Sequence, residues 1–308
     1  MGQSIPRTPP PPLRTTGPRE VSRVVASVEA LEGGGFLVHR PFPKHGLQQV
    51  DPFLLLDELG PVDLAPGEAV GAPDHPHRGF ETVTYVLSGR TEHRDSRGNK
   101  GSLGPGDVQW MTAGDGVVHA EMPAKDFRET GGRMHGFQLW VNLPRADKRM
   151  RPRYQEKKAH ELPVAETAGG AVWAKVIAGE ALGVRAAIET RTPIAYVHFR
   201  LAPGARHAQP VDPSFNAFAY SVAGEGRYGP SRTKGRRGEL VLFSPGGDTA
   251  SFENAGNESL ELLFIAGRPL AEPMVRWGPF VMNAPEELQE AVEDFRAGRM
   301  GTIAPDLG

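Results

Sequence analysis

His75 and His77, in the run His75-Pro-His-Arg-Gly-Phe-Glu81, and His119 and Glu121, in His119-Ala-Glu121, set two metal-ligand types at spacing i, i+2 in each piece. Side chains on a β-strand alternate faces, so the two members of each pair point the same way. Two such pairs facing each other inside a barrel make a cage of three imidazoles and one carboxylate. Iron, nickel, copper or manganese prefers five or six ligands, so four protein donors leave one or two positions for water, dioxygen or a chelating substrate. Zinc would instead close a four-coordinate site and act structurally. Either pair alone also reads as two hydrogen-bonded polar side chains. Together, separated by a Gly-rich hairpin region, they point to metal, because a buried carboxylate among imidazoles lacks a counter-charge unless a cation or a proton supplies it.

The elements that must position these groups are short strands. Phe80 to Leu87, Val108 to Thr112 and Gln138 to Leu143 alternate in character and are punctuated by Gly, Pro and Asp, which predicts an all-β barrel or sandwich. The 38 glycines and 29 prolines suit the turns of such a fold. Residues 1 to about 20, with Pro9 to Pro12 in one run, read as a disordered or polyproline leader. A second cycle of the pattern follows a basic connector, and sliding it onto the first lays Gly238-Glu239 on Gly106-Asp107 and Gly246 on Gly114. The chain reads as an internal duplication. In that register Ser251 replaces His119, Glu253 matches Glu121, Asn216 falls on Glu81, and His207 with Gln209 stands at the H-x-H position. One imidazole and one carboxylate bind a transition metal poorly, so the second half is expected to be metal-free. The connector Arg145 to Lys158 carries seven basic residues and reads as a solvated linker. Pro285 to Gly298 reads as a helix with Pro in its first turn, early acids, a terminal Gly, and Leu288, Ala291, Val292 and Phe295 as the stripe that packs on a barrel.

His75 to Leu87, Pro105 to Gly114, His119 to Pro123 and Phe137 to Pro144 together resemble the pirins, a family of iron-binding proteins built from two cupin barrels. The resemblance extends over about residues 21 to 280. It implies an all-β fold of two packed cupin barrels with a short C-terminal helix. The implied divisions are a leader over 1–20, an N-terminal cupin with the metal site over 21–145, a C-terminal cupin with a degenerate site over 146–280, and a helix and tail over 281–308. By position the family's metal ligands fall on His75, His77, His119 and Glu121, and the implied metal is iron as Fe(II), with nickel, copper, manganese, cobalt and zinc left open. Glu81 stands where many other cupins place their carboxylate, whereas pirins take Glu121.

Pirins also resemble cupin quercetinases, which implies quercetin 2,3-dioxygenase chemistry: a flavonol chelates through its ionised 3-hydroxyl, and dioxygen opens the ring with release of carbon monoxide. A base is needed for that hydroxyl proton. Glu121 is the first candidate and Glu81 the second, with a hydrogen bond orienting a ligand histidine as the alternative role of Glu81. His135 reads as a strand residue with a local partner, and Arg78 as a surface or supporting group. The other function that the resemblance implies is an iron redox-dependent module binding a transcription factor or metabolic enzyme without turnover.

Composition narrows the field. The 308 residues suffice for two domains with real cores, 39% being hydrophobic. With 35 basic and 37 acidic side chains there is no global electrostatic case for nucleic acid or membrane binding. No apolar run approaches the roughly 18 residues that span a bilayer, and no secretion signal is evident at the N-terminus, so cytoplasmic residence is expected. The absence of cysteine excludes disulfides and thiolate-held clusters. A monomer is expected, because two barrels cover each other's sheet faces.

Overall fold

The computed structural model describes residues 16–304. Each half of the chain folds as a seven-stranded sheet facing a four-stranded one. In the first barrel the large sheet runs in the spatial order Arg153–Lys157, Val108–Thr112, Phe80–Ser88, Gly132–Asn142, Phe53–Leu64, Phe36–Phe42, Val28–Glu32. The small sheet runs Ala72–His77, Val117–Pro123, Thr91–Asp95, Lys100–Leu103. The second barrel repeats both orders position for position. Its large sheet is Val21–Ala26, Glu239–Phe243, Asn216–Ala223, Leu260–Gly267, Ile194–Leu201, Val172–Ala178, Val164–Glu166, and its small sheet is Arg206–Pro210, Thr249–Asn254, Glu225–Tyr228, Thr233–Arg236. The internal duplication is therefore structural.

The two repeats exchange their outermost strands. Val21–Ala26 precedes the first barrel in sequence, yet pairs with Glu239–Phe243 of the second. Arg153–Lys157 follows the first barrel's other strands and returns to pair with Val108–Thr112. Boundaries drawn at 20/21 and 145/146 thus cut across the hydrogen bonding, because an edge strand is chosen by the backbone groups it satisfies rather than by its place in the chain. Two further expectations are corrected. Of the leader, residues 16–20 are docked: Arg19 is 1% exposed and its guanidinium donates to the carbonyls of Asp212, Phe215 and Gly247 in the second barrel. The first 15 residues lie outside the described part. The basic connector is no solvated linker either, since it contributes the exchanged strand and buries Lys148, which is 1% exposed.

Between the barrels, Tyr85, Trp110 and Phe137 of one large sheet share a core with Tyr196, Phe218 and Tyr220 of the other. Hydrogen bonds cross the same seam from Tyr85 to His198 Nδ1 at 2.8 Å and from the Tyr220 hydroxyl to Glu58 at 2.7 Å. The C-terminal helix spans Pro285–Arg296, with Glu287 capping the backbone N–H groups of Asn283 and Ala284. Ala291, Leu288 and Val292 pack on Val118, Phe280 and Met300, whereas Phe295, 40% exposed, only flanks Phe280 at the edge of the stripe, with ring centroids 6.4 Å apart. No helix among the described residues is long and apolar enough to cross a membrane.

Lys148 ties three segments together, its ammonium donating to the carbonyls of Gly79 and Val281 and to Asn142 Oδ1 at 2.6–3.0 Å. Lys148→Met should leave these acceptors buried without a donor and cost on the order of 3 kcal/mol. The thermal midpoint should then fall by several degrees, as read by circular dichroism. An unchanged midpoint would show that the ammonium contributes nothing.

Candidate metal centre

Two neighbouring strands of the first small sheet carry the histidines. His119 pairs directly across from His75, and residues opposite one another in a ladder share a face, so alternation brings His77 to the same side. Gly79, at φ +87°, then turns the chain toward Phe80–Ser88 so tightly that a Cβ would lie 2.0 Å from the Val281 carbonyl oxygen.

The result is a cluster of three imidazoles whose ligand atoms all lie within 4.8 Å of one another. His75 Nδ1 lies 2.7 Å from the Pro73 carbonyl, which can only accept, so Nδ1 carries the proton and Nε2 is left with its lone pair. That nitrogen stands 3.0 Å from His77 Nε2. His119 is fully buried, and neither of its ring nitrogens has a hydrogen-bond partner. Burying an unpartnered imidazole is costly, and a metal ion relieves the lone-pair half of that cost. Burial, with the neighbouring imidazoles adding to it, pulls the pKa of His77 and His119 well below the ordinary histidine range. Both rings are therefore neutral and suited to ligation at neutral pH. The donor set fits a transition metal.

Glu121 stands apart from the cluster of three. A shift in the ladder separates it from His119, and its carboxylate is held by the Thr84 hydroxyl at 2.8 Å and, more loosely, by the Gln138 amide at 3.4 Å. It lines the same cavity as His75 and His77, which encloses about 900 Å³. Leu55, Leu59 and Trp140 give that cavity apolar walls.

Glu81 requires a correction. Thr84 reaches Glu121 inside the barrel, so Thr82 and Thr84 face inward while Glu81, Val83 and Tyr85 face the core between the barrels. The Glu81 carboxylate accepts from Thr112 at 2.6 Å and burial pushes its pKa up, but it orients no ligand histidine. An odd number of residues from Thr84 puts it on the wrong face. The register expected for the second half also slips. His207 pairs with Phe252, while Ser251 and Glu253 pair with Ala208 and Arg206 on the other face, where Glu253 meets Arg206 and Arg232. A one-residue offset exchanges the faces of a strand. The space facing His207 is filled by Phe199 and Phe252, with ring centroids 4.9 and 5.5 Å away.

His135 lines the cavity and has a partner on the adjacent strand, Glu58, at 2.8 Å. Arg78 is buried rather than superficial, bonding Asp294 of the C-terminal helix at 2.6 Å and the Asp115 carbonyl at 2.8 Å. The contributions that sequence reasoning missed are Thr84, Gln138 and Trp140. Strand alternation running outward from His77 and Glu121 is the signal that could have found them.

Paired antiparallel barrels with a histidine triad inside the first define a two-barrel cupin. The chain belongs to the pirin family, matching Pirin over residues 35–141 and the Pirin C-terminal cupin domain over residues 196–301. It is 43% identical to a pirin-like protein of Solanum lycopersicum over 92% of this chain and 94% of that one. Pirin of Homo sapiens is 42% identical with the same coverage. A crystal structure of quercetin 2,3-dioxygenase from Acinetobacter baumannii superposes with a TM-score of 0.87 at 34% identity, covering 94% of this chain and all of that one.

Elemental analysis should find metal in the native protein, lost in His119→Ala and retained in His207→Ala; equal content in all three would remove the triad as its seat. Apoprotein stability should fall as pH drops below about 6.5. The unfolded chain takes protons there that buried His77 and His119 refuse, so stability rises with pH through that window. Thermal midpoints at pH 5.5 and 7.5 check this, and the difference should shrink in the His77→Gln, His119→Gln double variant.

Proposed function

We propose that the chain is a metal-dependent dioxygenase of the quercetinase type, acting on flavonol-like chelators with Fe(II) held by His75, His77, His119 and Glu121. The observation that carries this reading is the fully buried His119, with both ring nitrogens unpartnered, in a triad beside a mostly apolar cavity of about 900 Å³. A cavity of this size takes a small aromatic ligand. The likeness to the Acinetobacter enzyme supports the same direction. Iron when bound would supply a Lewis acid and a redox couple for the reaction of an ionised chelator with dioxygen.

The chain's own residues do the rest. Glu121, outside the cluster of three and held by Thr84 and Gln138, would complete the metal's ligand set through one carboxylate oxygen and accept the proton of the chelating hydroxyl through the other. Leu55, Leu59 and Trp140 exclude water from the ring being opened. Phe80 and Trp140 pack against His77, with ring centroids 5.0 and 5.2 Å away, and keep its imidazole aimed into the cluster.

Iron-reloaded protein under air should consume oxygen with quercetin in the absence of any protein partner. Glu121→Gln should lower kcat by about 100-fold, with metal content measured in parallel, and Thr84→Val should lower it less. Oxygen uptake unaltered by His119→Ala would overturn the assignment. Metal binding without any uptake would favour a metal-dependent interaction module instead.

A further inference from the structure

Arg276 has no part in the chemistry described so far, yet it sits over the site. It belongs to a short hairpin, Val275–Trp277 paired with Phe280–Met282, that follows the second barrel in sequence and returns to the first. Its guanidinium lies 4.7 Å from the centre of the Trp140 ring, and Trp140 in turn packs on His77. Arg276 lines the same cavity as His75, His77 and Glu121. One indole separates a fixed cation from the histidine triad.

That cation is not spent on a protein anion. The nearby carboxylates of Asp57 and Glu32 are both taken by Arg40, which holds Asp57 in a two-pronged hydrogen bond at 2.5–2.7 Å. Among the described residues no carboxylate comes within ion-pairing distance of Arg276, and its one hydrogen bond, to the Gly278 carbonyl, is stretched to 3.5 Å. A guanidinium laid on an indole face is already ordered, so little freedom is lost when an anion binds its edge. Charge balance gives that edge a purpose. A divalent metal with one carboxylate is neutralised by one ionised oxygen of a chelator, and any second negative group on the ligand needs a counter-charge elsewhere.

We propose that the cavity selects chelating phenols or enols bearing a second anionic group, a carboxylate or sulfonate, which Arg276 binds across Trp140 from the histidine triad. This deepens the dioxygenase reading and rests on it for the chelating end. Arg276 is a specificity-determining residue, and its planar, always charged head suits an anion with two oxygens to offer.

The test compares quercetin with quercetin sulfonated on its catechol ring, using the iron-loaded protein. Two readouts are taken, oxygen uptake and equilibrium binding by quenching of tryptophan fluorescence. The native protein should favour the sulfonate by about ten-fold in KM and Kd, and the preference should weaken at high salt. Arg276→Gln should abolish the preference, Arg276→Glu should reverse it, and Arg276→Lys should retain part of it. Equal loss of affinity for both ligands in Arg276→Gln would overturn the proposal, since the residue would then only support Trp140. Turnover of both compounds with no charge preference would also overturn it. A charge preference in binding without oxygen consumption would leave Arg276 as the anion reader and remove the dioxygenase reading alone.

Discussion

Burial of three neutral imidazoles around one point is the constraint on which the first barrel depends. His119 has no exposed surface and no hydrogen-bond partner, an arrangement a protein interior rarely tolerates unless another atom takes the lone pair. The surroundings serve that constraint. The Pro73 carbonyl sets the tautomer of His75, Phe80 and Trp140 wall in His77, and Thr84 and Gln138 hold the neighbouring carboxylate. The contacts from Phe80, Thr84, Gln138 and Trp140 use the inward faces of two strands whose outward faces, through Val83, Tyr85, Phe137 and Leu139, are committed to the core between the barrels. A shift of one residue in any of these strands would exchange a site group for a core group.

The site also depends on distant parts of the chain. Lys148 grips the turn at Gly79 and the hairpin at Val281 together, and Arg78, the residue after His77, is anchored to Asp294 of the C-terminal helix. The helix packs on Val118, next to His119. Residues far past the second barrel thereby brace the strands that carry the histidines. The exchange of edge strands adds a further link, because each barrel is completed by a segment contiguous with the other. In the second barrel Phe199 and Phe252 pack around His207, where the first barrel holds its triad.

Much of this was legible in the residues alone. The i, i+2 pairs gave the histidine cluster, since alternation on a strand needs no tertiary information. The repeated spacing of Gly, Pro and alternating runs gave two similar all-β halves. Glu81 misled because its nearness to His77 in sequence says nothing about parity across the turn at Gly79. Ser251 and Glu253 misled because an alignment on glycines is uncertain by one residue, and one residue reverses a strand's faces. The basic connector misled because seven cations suggest solvent, whereas Lys148 finds three acceptors in the interior.

Local periodicity and side-chain chemistry therefore determined the all-β class, the duplication, and His75, His77 and His119 as the metal-capable residues. Only the tertiary structure decided which strand completes which barrel, that Thr84 and Gln138 hold Glu121 beside the triad, and that Arg276 overlies Trp140. These are pairings between segments far apart in the chain. They are selected by which buried backbone and polar groups remain to be satisfied once the sheets have formed, a condition that no local run of residues expresses.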